Sequence, residues 1–274
     1  MKRSAGMMEK LKRPLRAPYY YFRLRAKALR LGFEEWKRTN GSDNTPPIPP
    51  PLLRHRVGGT LDAAIHLKVG RICAQNLKDM LGRIGKDIYS FSHVLDFGCG
   101  SGRVMSHFHD RPESCHLYAT DIDKQAISWC REHLRFACWE ANDAMPPTRY
   151  ADNTFDFIYA ISVFTHLDEK MQFAWLHELK RVAKPDAILI LSVHGTAALS
   201  QWSESDRELA SKMGFFHKVV RKGVFNRHGL PDFYQTSQHS REYVEANWSR
   251  LFKIVEYVEA GINEHQDAVI LQNL

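Results

Sequence analysis

The chain of 274 residues lacks the features that mark membrane-embedded, secreted and metal-stabilised proteins. No apolar run approaches the roughly 20 residues of a membrane-spanning helix, and no apolar signal core follows the N-terminal Met. The few cysteines form no Cys-x-x-Cys pair and show no zinc-ligand spacing: Cys73, Cys99, Cys115, Cys130 and Cys138. We therefore expect reduced thiols, no metal site and a cytoplasmic protein.

Acidic residues are scarce only in the N-terminal part. Residues 1–39 hold twelve Lys and Arg against three Glu, a net charge of +9, whereas the rest holds 26 basic and 28 acidic residues, a net charge of −2. The basicity is thus confined to an N-terminal arm. The nearly neutral remainder argues against a broad nucleic-acid-binding face.

Apolar residues of the arm recur at helical spacing after Pro18: Tyr19, Phe22, Ala26, Leu29, Phe33 and Trp36. Arg23, Arg25, Lys27 and Arg30 lie off this stripe. Such a helix packs its stripe on the rest of the chain or on a second subunit, rests on an anionic membrane surface, or engages nucleic acid or another partner. We divide the chain into this arm at 1–38, a proline-rich linker at 39–51 and a domain at 52–274.

From Leu61 onward, helical and strand-like segments alternate, which predicts an α/β fold with parallel strands joined by crossover helices. The last two strands are joined by a short turn and should pair antiparallel. We expect strands near 93–98, 115–121, 136–142, 155–161, 187–194, 253–260 and 267–273. We expect helices near 62–82, 102–109, 123–135, 168–183, 197–213 and 240–250.

The run from His93 to Arg103 carries the strongest functional signal. An apolar strand leads Asp96 into a turn with glycines at 98, 100 and 102, where the backbone can approach a ligand closely. The run lacks the Lys-Ser/Thr pair of a phosphate loop, and its glycine spacing differs from Gly-x-Gly-x-x-Gly.

This run resembles the first motif of class I S-adenosylmethionine-dependent methyltransferases. Further motifs follow in order at Leu117–Asp123, at Glu140–Ala144 and from Phe155 through a helix ending at Lys184-Pro185. Asp186-Ala187 stands where the family usually has Gly-Gly. The resemblance covers about residues 93–194. It implies a Rossmann-like, doubly wound seven-stranded sheet with an antiparallel last strand, and S-adenosyl-L-methionine as cofactor.

The same resemblance implies roles for individual residues. Asp121 would bind the ribose hydroxyls, and Asp143 would accept from the adenine amine while the amide of Ala144 meets the ring. Asp123, two residues after Asp121, is expected to cap the following helix instead. The residues that the family motifs assign to the cofactor are Asp96, Gly98, Cys99, Gly100, Ser101, Gly102, Asp121, Ile122, Asp143, Ala144 and Ile161.

A looser resemblance lies in the flanking segments Pro51–Gly59, Leu230–Ser240 and His265–Ile270. They are similar to a methyltransferase group associated with bacterial glycan and secondary-metabolite pathways. By this resemblance Arg56 and Gly58 would approach the cofactor as part of a lid. The insertion at 195–240 mixes aromatic and cationic residues, which suits a sugar ring or an acidic group, or equally a dimer interface.

Methyl transfer to a hydroxyl needs a general base, most often His or a carboxylate, whereas a carboxylate acceptor needs none. His166 and His194 are the candidate bases, and Tyr234, His239 and His265 the candidate substrate contacts; for each histidine, a structural role is the alternative. The sequence therefore predicts O-methylation of a small molecule or glycan intermediate.

Two other functions stay open. One is methylation of protein or nucleic acid, although Ile161–Phe164 replaces the Asn/Asp-Pro-Pro-Tyr/Phe run of many N-methylating enzymes. The other is a non-catalytic, cofactor-binding partner protein.

Overall fold

The structure, a computed structural model, describes residues 21–35, 46–219, 231 and 233–274. The chain forms two compact units, Met1–His66 and Leu67–Leu274. Tyr19, Trp36, most of the predicted linker and residues 220–230 of the predicted insertion lie outside the described residues.

The first unit is organised around a buried arginine. Residues 21–35 form helix α1, and Pro51–Gly58 form α2, a helix that begins with a proline. Arg54 of α2 is fully buried, and its guanidinium donates to both carboxylate oxygens of Glu35 at 3.0 and 2.7 Å. It also donates to the carbonyl oxygens of Pro49, at 2.6 Å, and Leu61. This planar, multiply bonded group holds the end of α1 against α2.

The second unit contains a seven-stranded sheet in the order β3-β2-β1-β4-β5-β9-β8. Strands β1 to β5 are parallel, and β9 runs antiparallel to both β5 and β8. This confirms the predicted doubly wound sheet with its antiparallel last strand. The strands are β1 (His93–Phe97), β2 (His116–Asp121), β3 (Cys138–Ala141), β4 (Phe155–Ala160), β5 (Ala183–Val193), β8 (Phe252–Ile262) and β9 (Gln266–Asn273).

Helices cover both faces of the sheet, as a parallel sheet requires. Alternate residues of the central strand β1 divide between the two cores: Val94 packs with Leu77 and Leu81 on one face, and Leu95 packs with Trp175 and Leu176 on the other. The helices are α3 (Ala63–Arg83), α4 (Lys124–His133), α5 (Glu169–Val182), α6 (Glu204–Met213) and α7 (Arg241–Trp248). None of the helices within the described residues has the length and apolar character needed to cross a membrane.

Two predicted helices are wrong in part. The helix expected at 102–109 is a series of turns followed by a 3₁₀ segment at Met105–Phe108, because the chain leaves Gly102 with φ at 76°. The helix expected at 197–213 is a 3₁₀ segment, Thr196–Gln201, followed by α6. Ser203 separates them as a helix cap, its hydroxyl accepting from the Asp206 amide.

The insertion after β5 also contains a hairpin that the sequence pattern did not indicate. Strands β6 (Phe215–Lys218) and β7 (Thr236–His239) pair antiparallel as a separate two-stranded sheet. Backbone hydrogen bonds join β7 to the main body: the Ser237 amide donates to Thr165 at 2.8 Å and the His239 amide to His194 at 2.8 Å. The hairpin therefore lies over the segments that follow β4 and β5.

Candidate functional site

The glycine-rich turn after β1 is tied to the end of β2. The amides of Gly98 and Cys99 donate to the Thr120 carbonyl oxygen at 2.8 and 3.1 Å, and the Gly100 amide donates to Asp121 Oδ2 at 2.7 Å. Gly98 and Gly100 have φ of 82° and 55°, a conformation that glycine adopts without strain. A Cβ at Gly98 would lie 2.2 Å from Val163, and one at Gly102 would lie 2.8 Å from Leu134 and Trp139, so these positions have no room for a side chain.

Asp121 is half-buried at the tip of β2. Its Oδ1 accepts from the Asp123 amide at 2.8 Å, and its Oδ2 accepts from Gly100. An ionised carboxylate can accept about four hydrogen bonds, and these two orient the side chain of Asp121. Asp123 accepts from the amides of Gln125 and Ala126, which confirms its predicted role as the cap of α4.

Asp96, at the end of β1, is 3% exposed and accepts a hydrogen bond from the Tyr159 hydroxyl at 3.0 Å. Burial raises the pKa of Asp96 to about 8, although the Tyr159 hydroxyl acts in the opposite direction. A cation bound nearby would restore the charged carboxylate. Tyr159 is a residue of this region that sequence reasoning missed, because a tyrosine within an apolar strand resembles any core aromatic.

The end of β3 completes this side of the site. The Asn142 amide donates to the Asp121 carbonyl oxygen at 3.1 Å, and its side-chain oxygen accepts from Thr120 Oγ1 at 2.8 Å. Asn142 Nδ2 in turn donates to the Asp143 carbonyl oxygen at 2.7 Å. The next carbonyl oxygen, that of Ala144, accepts from the Trp175 indole at 3.2 Å. These bonds fix the path of Asp143 and Ala144 beside Asp121.

A cluster of aromatic rings lies beyond the ends of β4 and β5. The His166 ring, which follows β4, stacks on Tyr234 with 3.8 Å between ring centroids. The His194 ring, which follows β5, lies 6.3 Å from His166 and 5.7 Å from His265. The structure therefore brings together four of the five residues predicted for catalysis and substrate contact.

The segment Gln235–Ser237 sets the proton positions on the histidines. His166 Nδ1 lies 2.5 Å from the Gln235 carbonyl oxygen, and His194 Nδ1 lies 3.2 Å from that of Ser237. A carbonyl oxygen only accepts, so each Nδ1 carries the hydrogen and each Nε2 keeps its lone pair. Burial lowers the pKa of both imidazoles to about 4, so both are neutral at pH 7 with an unprotonated Nε2.

His217 also carries its hydrogen on Nδ1. The Ser237 hydroxyl donates to the Leu167 carbonyl oxygen at 2.5 Å and therefore accepts from His217 Nδ1 at 2.8 Å. Three imidazoles are thus oriented by a segment of three residues. The sequence contained no signal for this arrangement, because two of the three acceptors are backbone carbonyl oxygens and the third is a serine hydroxyl.

His239 is placed differently from the other candidates. It is 1% exposed and lies against the rings of Phe215, at 5.0 Å, Tyr243 and Trp248. Burial lowers its pKa to about 3. The ring therefore packs among aromatic side chains, and its contact with a substrate stays a prediction.

Tyr234, which stacks on His166, lies within electrostatic range of Asp121. Burial raises the pKa of its phenol, and the negative charge of Asp121 raises it further. Ile122 and Ile161 are half-buried at the ends of β2 and β4, and Cys99 and Ser101 are buried within the turn. Arg56 and Gly58 lie on α2 in the first unit, and their approach to a cofactor stays a prediction.

Comparison with known proteins agrees with the resemblance. Residues 94–186 match the family model described as a methyltransferase domain. O-methyltransferase 3 of Dictyostelium discoideum is 21% identical over 196 residues, which cover 65% of this chain and 43% of that protein. The match therefore spans less than half the length of this curated relative.

Solved structures share the fold at low sequence identity. A chain from the complex between the Haloferax volcanii Trm112 methyltransferase activator and a methyltransferase is similar with a TM-score of 0.52 and 12% identity, over 81% of this chain and 96% of that one. A structure described as "Conversion of a Disulfide Bond into a Thioacetal Group during Echinomycin Biosynthesis" has a TM-score of 0.50 and 16% identity, over 72% and 81% of the two chains.

We predict that Gly102→Ala destabilises the protein more than Gly85→Ala. Both glycines have positive φ, 76° and 70°, which costs an alanine about 1 kcal/mol. A Cβ at Gly102 would also lie 2.8 Å from Leu134 and Trp139, whereas one at Gly85 would meet nothing within 4 Å. We expect the overpacking to add about 1–3 kcal/mol to the loss in free energy of unfolding, measured in urea. Equal losses would contradict this packing.

Proposed function

Since this chain carries a class I S-adenosylmethionine-dependent methyltransferase domain, we propose that it transfers the methyl group of this cofactor to an oxygen atom of a small molecule or glycan intermediate. The observation that supports oxygen as the acceptor is the pair His166 and His194, each with an unprotonated Nε2, beside Tyr234. The distant similarity to an O-methyltransferase points the same way.

The residues at the ends of β1, β2 and β3 suit S-adenosylmethionine. We assign the ribose hydroxyls to Asp121, whose carboxylate already faces the glycine turn, and the adenine to Asp143 and Ala144. Asp96 is a buried carboxyl that a cationic ligand would ionise, and this cofactor carries positive charge on its sulfur and its amino group. When bound, the cofactor supplies a methyl group that is already electrophilic.

We assign removal of the acceptor proton to Nε2 of His166 or His194. A pKa of about 4 makes each imidazole a weak base, so the proton moves as the oxygen attacks the methyl carbon rather than before. The backbone carbonyl oxygens of Gln235 and Ser237 orient the two rings and accept a hydrogen bond from the Nδ1–H of each imidazolium that forms.

We assign contact with the acceptor to Tyr234 and His265, which border the histidine pair. Aromatic faces of this kind pack against sugar rings and other flat or apolar groups. Methylation of protein or nucleic acid ranks lower because Ile161–Phe164 lacks the Asn/Asp-Pro-Pro-Tyr/Phe run, and a non-catalytic role ranks lower because Asp96, Asp121 and Asp143 are all present.

We further propose an anionic membrane surface as a partner of α1, because this helix has two apolar faces. Its inner face includes Ala28, 4% exposed, and the half-buried Leu24 and Leu31. Its outer face carries Phe22 and Leu29, 72% and 75% exposed, and Phe33, 56% exposed. We assign this outer face, the outer stripe of α1, to contact with the bilayer. The basic residues beside it are Arg23, Arg25, Lys27 and Arg30, and their charge complements an anionic bilayer.

Asp121→Ala should weaken binding of S-adenosylmethionine at least tenfold, about 1.4 kcal/mol, because the ribose loses a charged acceptor. Isothermal titration calorimetry measures the affinity, and Asp79→Ala, on the exposed side of α3, is the control. Unchanged affinity in Asp121→Ala would remove the ribose assignment.

His166→Asn and His194→Asn keep a donor near the position of Nδ1 but remove Nε2. If either imidazole is the base, methyl transfer to a hydroxyl acceptor at pH 7 should fall by about 10²–10⁴-fold in that variant, with cofactor affinity unchanged. Because the two pKa values lie near 4, the wild-type rate should not respond to these groups between pH 6 and 8 and should fall as the pH drops toward 4. Full activity in both variants would contradict a histidine base.

Replacing Leu29 and Phe33 of the outer stripe by Ser should weaken binding to phosphatidylserine-containing vesicles about tenfold in a sedimentation assay, because the bilayer no longer buries these side chains. The matched control replaces Leu209 and Met213, 43% and 63% exposed on α6, by Ser. Binding by the wild type should also weaken with salt. Equal binding by the wild type and the outer-stripe variant would remove the membrane from the proposal.

A further inference from the structure

Strand β9 begins with Gln266, whose side chain links β9 with β5 and with the segment that follows β4. Gln266 is 8% exposed; its Nε2 donates to Ser162 Oγ at 2.7 Å, and its Oε1 accepts from Ser192 Oγ at 2.7 Å. The Ser192 hydroxyl in turn accepts from the Ser162 amide at 2.8 Å. The three residues form a closed ring of hydrogen bonds that links Ser162, two residues after the end of β4, with β5 and β9.

The ring encloses a strained residue. Ser162 has φ of 61°, a left-handed conformation that is uncommon for residues other than glycine. A residue in this conformation lowers the stability of the fold by about 1–3 kcal/mol, and it persists where the surrounding contacts hold it in place. Both the amide and the hydroxyl of Ser162 are bonded within the ring, so the ring supplies contacts that hold this conformation.

The neighbours of the ring are site residues. Ile161, assigned to the cofactor, directly precedes Ser162, and His166 follows four residues later. Ser192 lies two residues before His194. The backbone direction at Ser162 therefore decides how the chain leaves β4 toward both the cofactor side and the acceptor side.

Asp267, the residue after Gln266, also links the beginning of β9 with neighbouring segments. It is fully buried and accepts from the amides of Thr196 and Ala260 at 2.8 and 2.9 Å, and from the Tyr257 hydroxyl at 2.9 Å. Ala260 is also left-handed, with φ of 52°. The beginning of β9 thus anchors the segment after His194 as well.

We propose that Gln266 is a positioning residue of the methyl-transfer site, which holds Ser162 left-handed and thereby sets the path of Ile161 and His166. The ring of hydrogen bonds alone supports the hold on Ser162, whereas the effect on cofactor binding rests on the proposed function. Gln266 itself touches neither the cofactor nor the acceptor in this proposal.

The test replaces Gln266 by Met, which keeps the length of the side chain and removes its amide. Hydrogen exchange of the Ser162 amide, followed by NMR, should become at least tenfold faster, and S-adenosylmethionine should bind about tenfold more weakly by calorimetry, because the bound state must restore the strained turn. Gln272→Met is the matched control: Gln272 lies on the same strand and bonds to Asp186 instead. It should change neither quantity.

A second substitution separates positioning from general damage. Glycine adopts a left-handed φ without strain, so Ser162→Gly in the Gln266→Met background should recover most of the lost affinity. A merely structural weakening would not be rescued in this way. If Gln266→Met does not fold, Ser192→Ala breaks the same ring from β5 and takes its place.

The outcomes are distinguishable. Unchanged exchange of the Ser162 amide in Gln266→Met overturns the proposal. Faster exchange with unchanged cofactor affinity, or with no rescue by glycine, overturns the positioning of the site. A wild-type protein that binds no S-adenosylmethionine contradicts the proposed function, while the exchange rates still decide whether Gln266 holds Ser162.

Discussion

The attachment of the glycine turn to the end of β2 is the constraint on which the site depends. Three amides of the turn donate to Thr120 and Asp121, so the turn and the carboxylate form one rigid piece. The Asn142 amide adds the end of β3 to this piece. Because the ends of neighbouring parallel strands share an edge of the sheet, residues from three separate motifs meet there. A ligand at this edge would meet a preorganised surface and would not have to order it.

The cluster of His166, His194, Tyr234 and His265 is built differently, from segments that are not adjacent in the sequence. The segment Gln235–Ser237 supplies the carbonyl oxygens that orient His166 and His194, and Gln266 and Asp267 of β9 bond to the segments after β4 and β5. The tautomers of the two histidines therefore depend on one insertion. Burial lowers the pKa of both imidazoles more than any neighbouring charge does.

Long, strongly patterned elements could be predicted. All seven strands of the main sheet, the antiparallel last strand and the cap at Asp123 agree with the structure. The errors lie where local backbone geometry outweighs periodicity, as at Gly102 and at Ser203, which interrupts a predicted helix. The burial of His239 among aromatic rings could not be predicted, because it depends on partners up to 24 residues away.

The order of the elements and the glycine-rich turn with its aspartates can be read from the sequence, because alternating apolar segments and closely spaced glycine and aspartate residues are local features of the chain. The grouping of His166, His194, Tyr234 and His265 arises only in the folded chain. His166, His194 and Gln266 are distant in sequence, and the atoms that orient them are backbone carbonyl oxygens and serine hydroxyls that carry no distinctive sequence signal. Their hydrogen bonds form only when β9 has joined the sheet and the hairpin has packed over the ends of its strands.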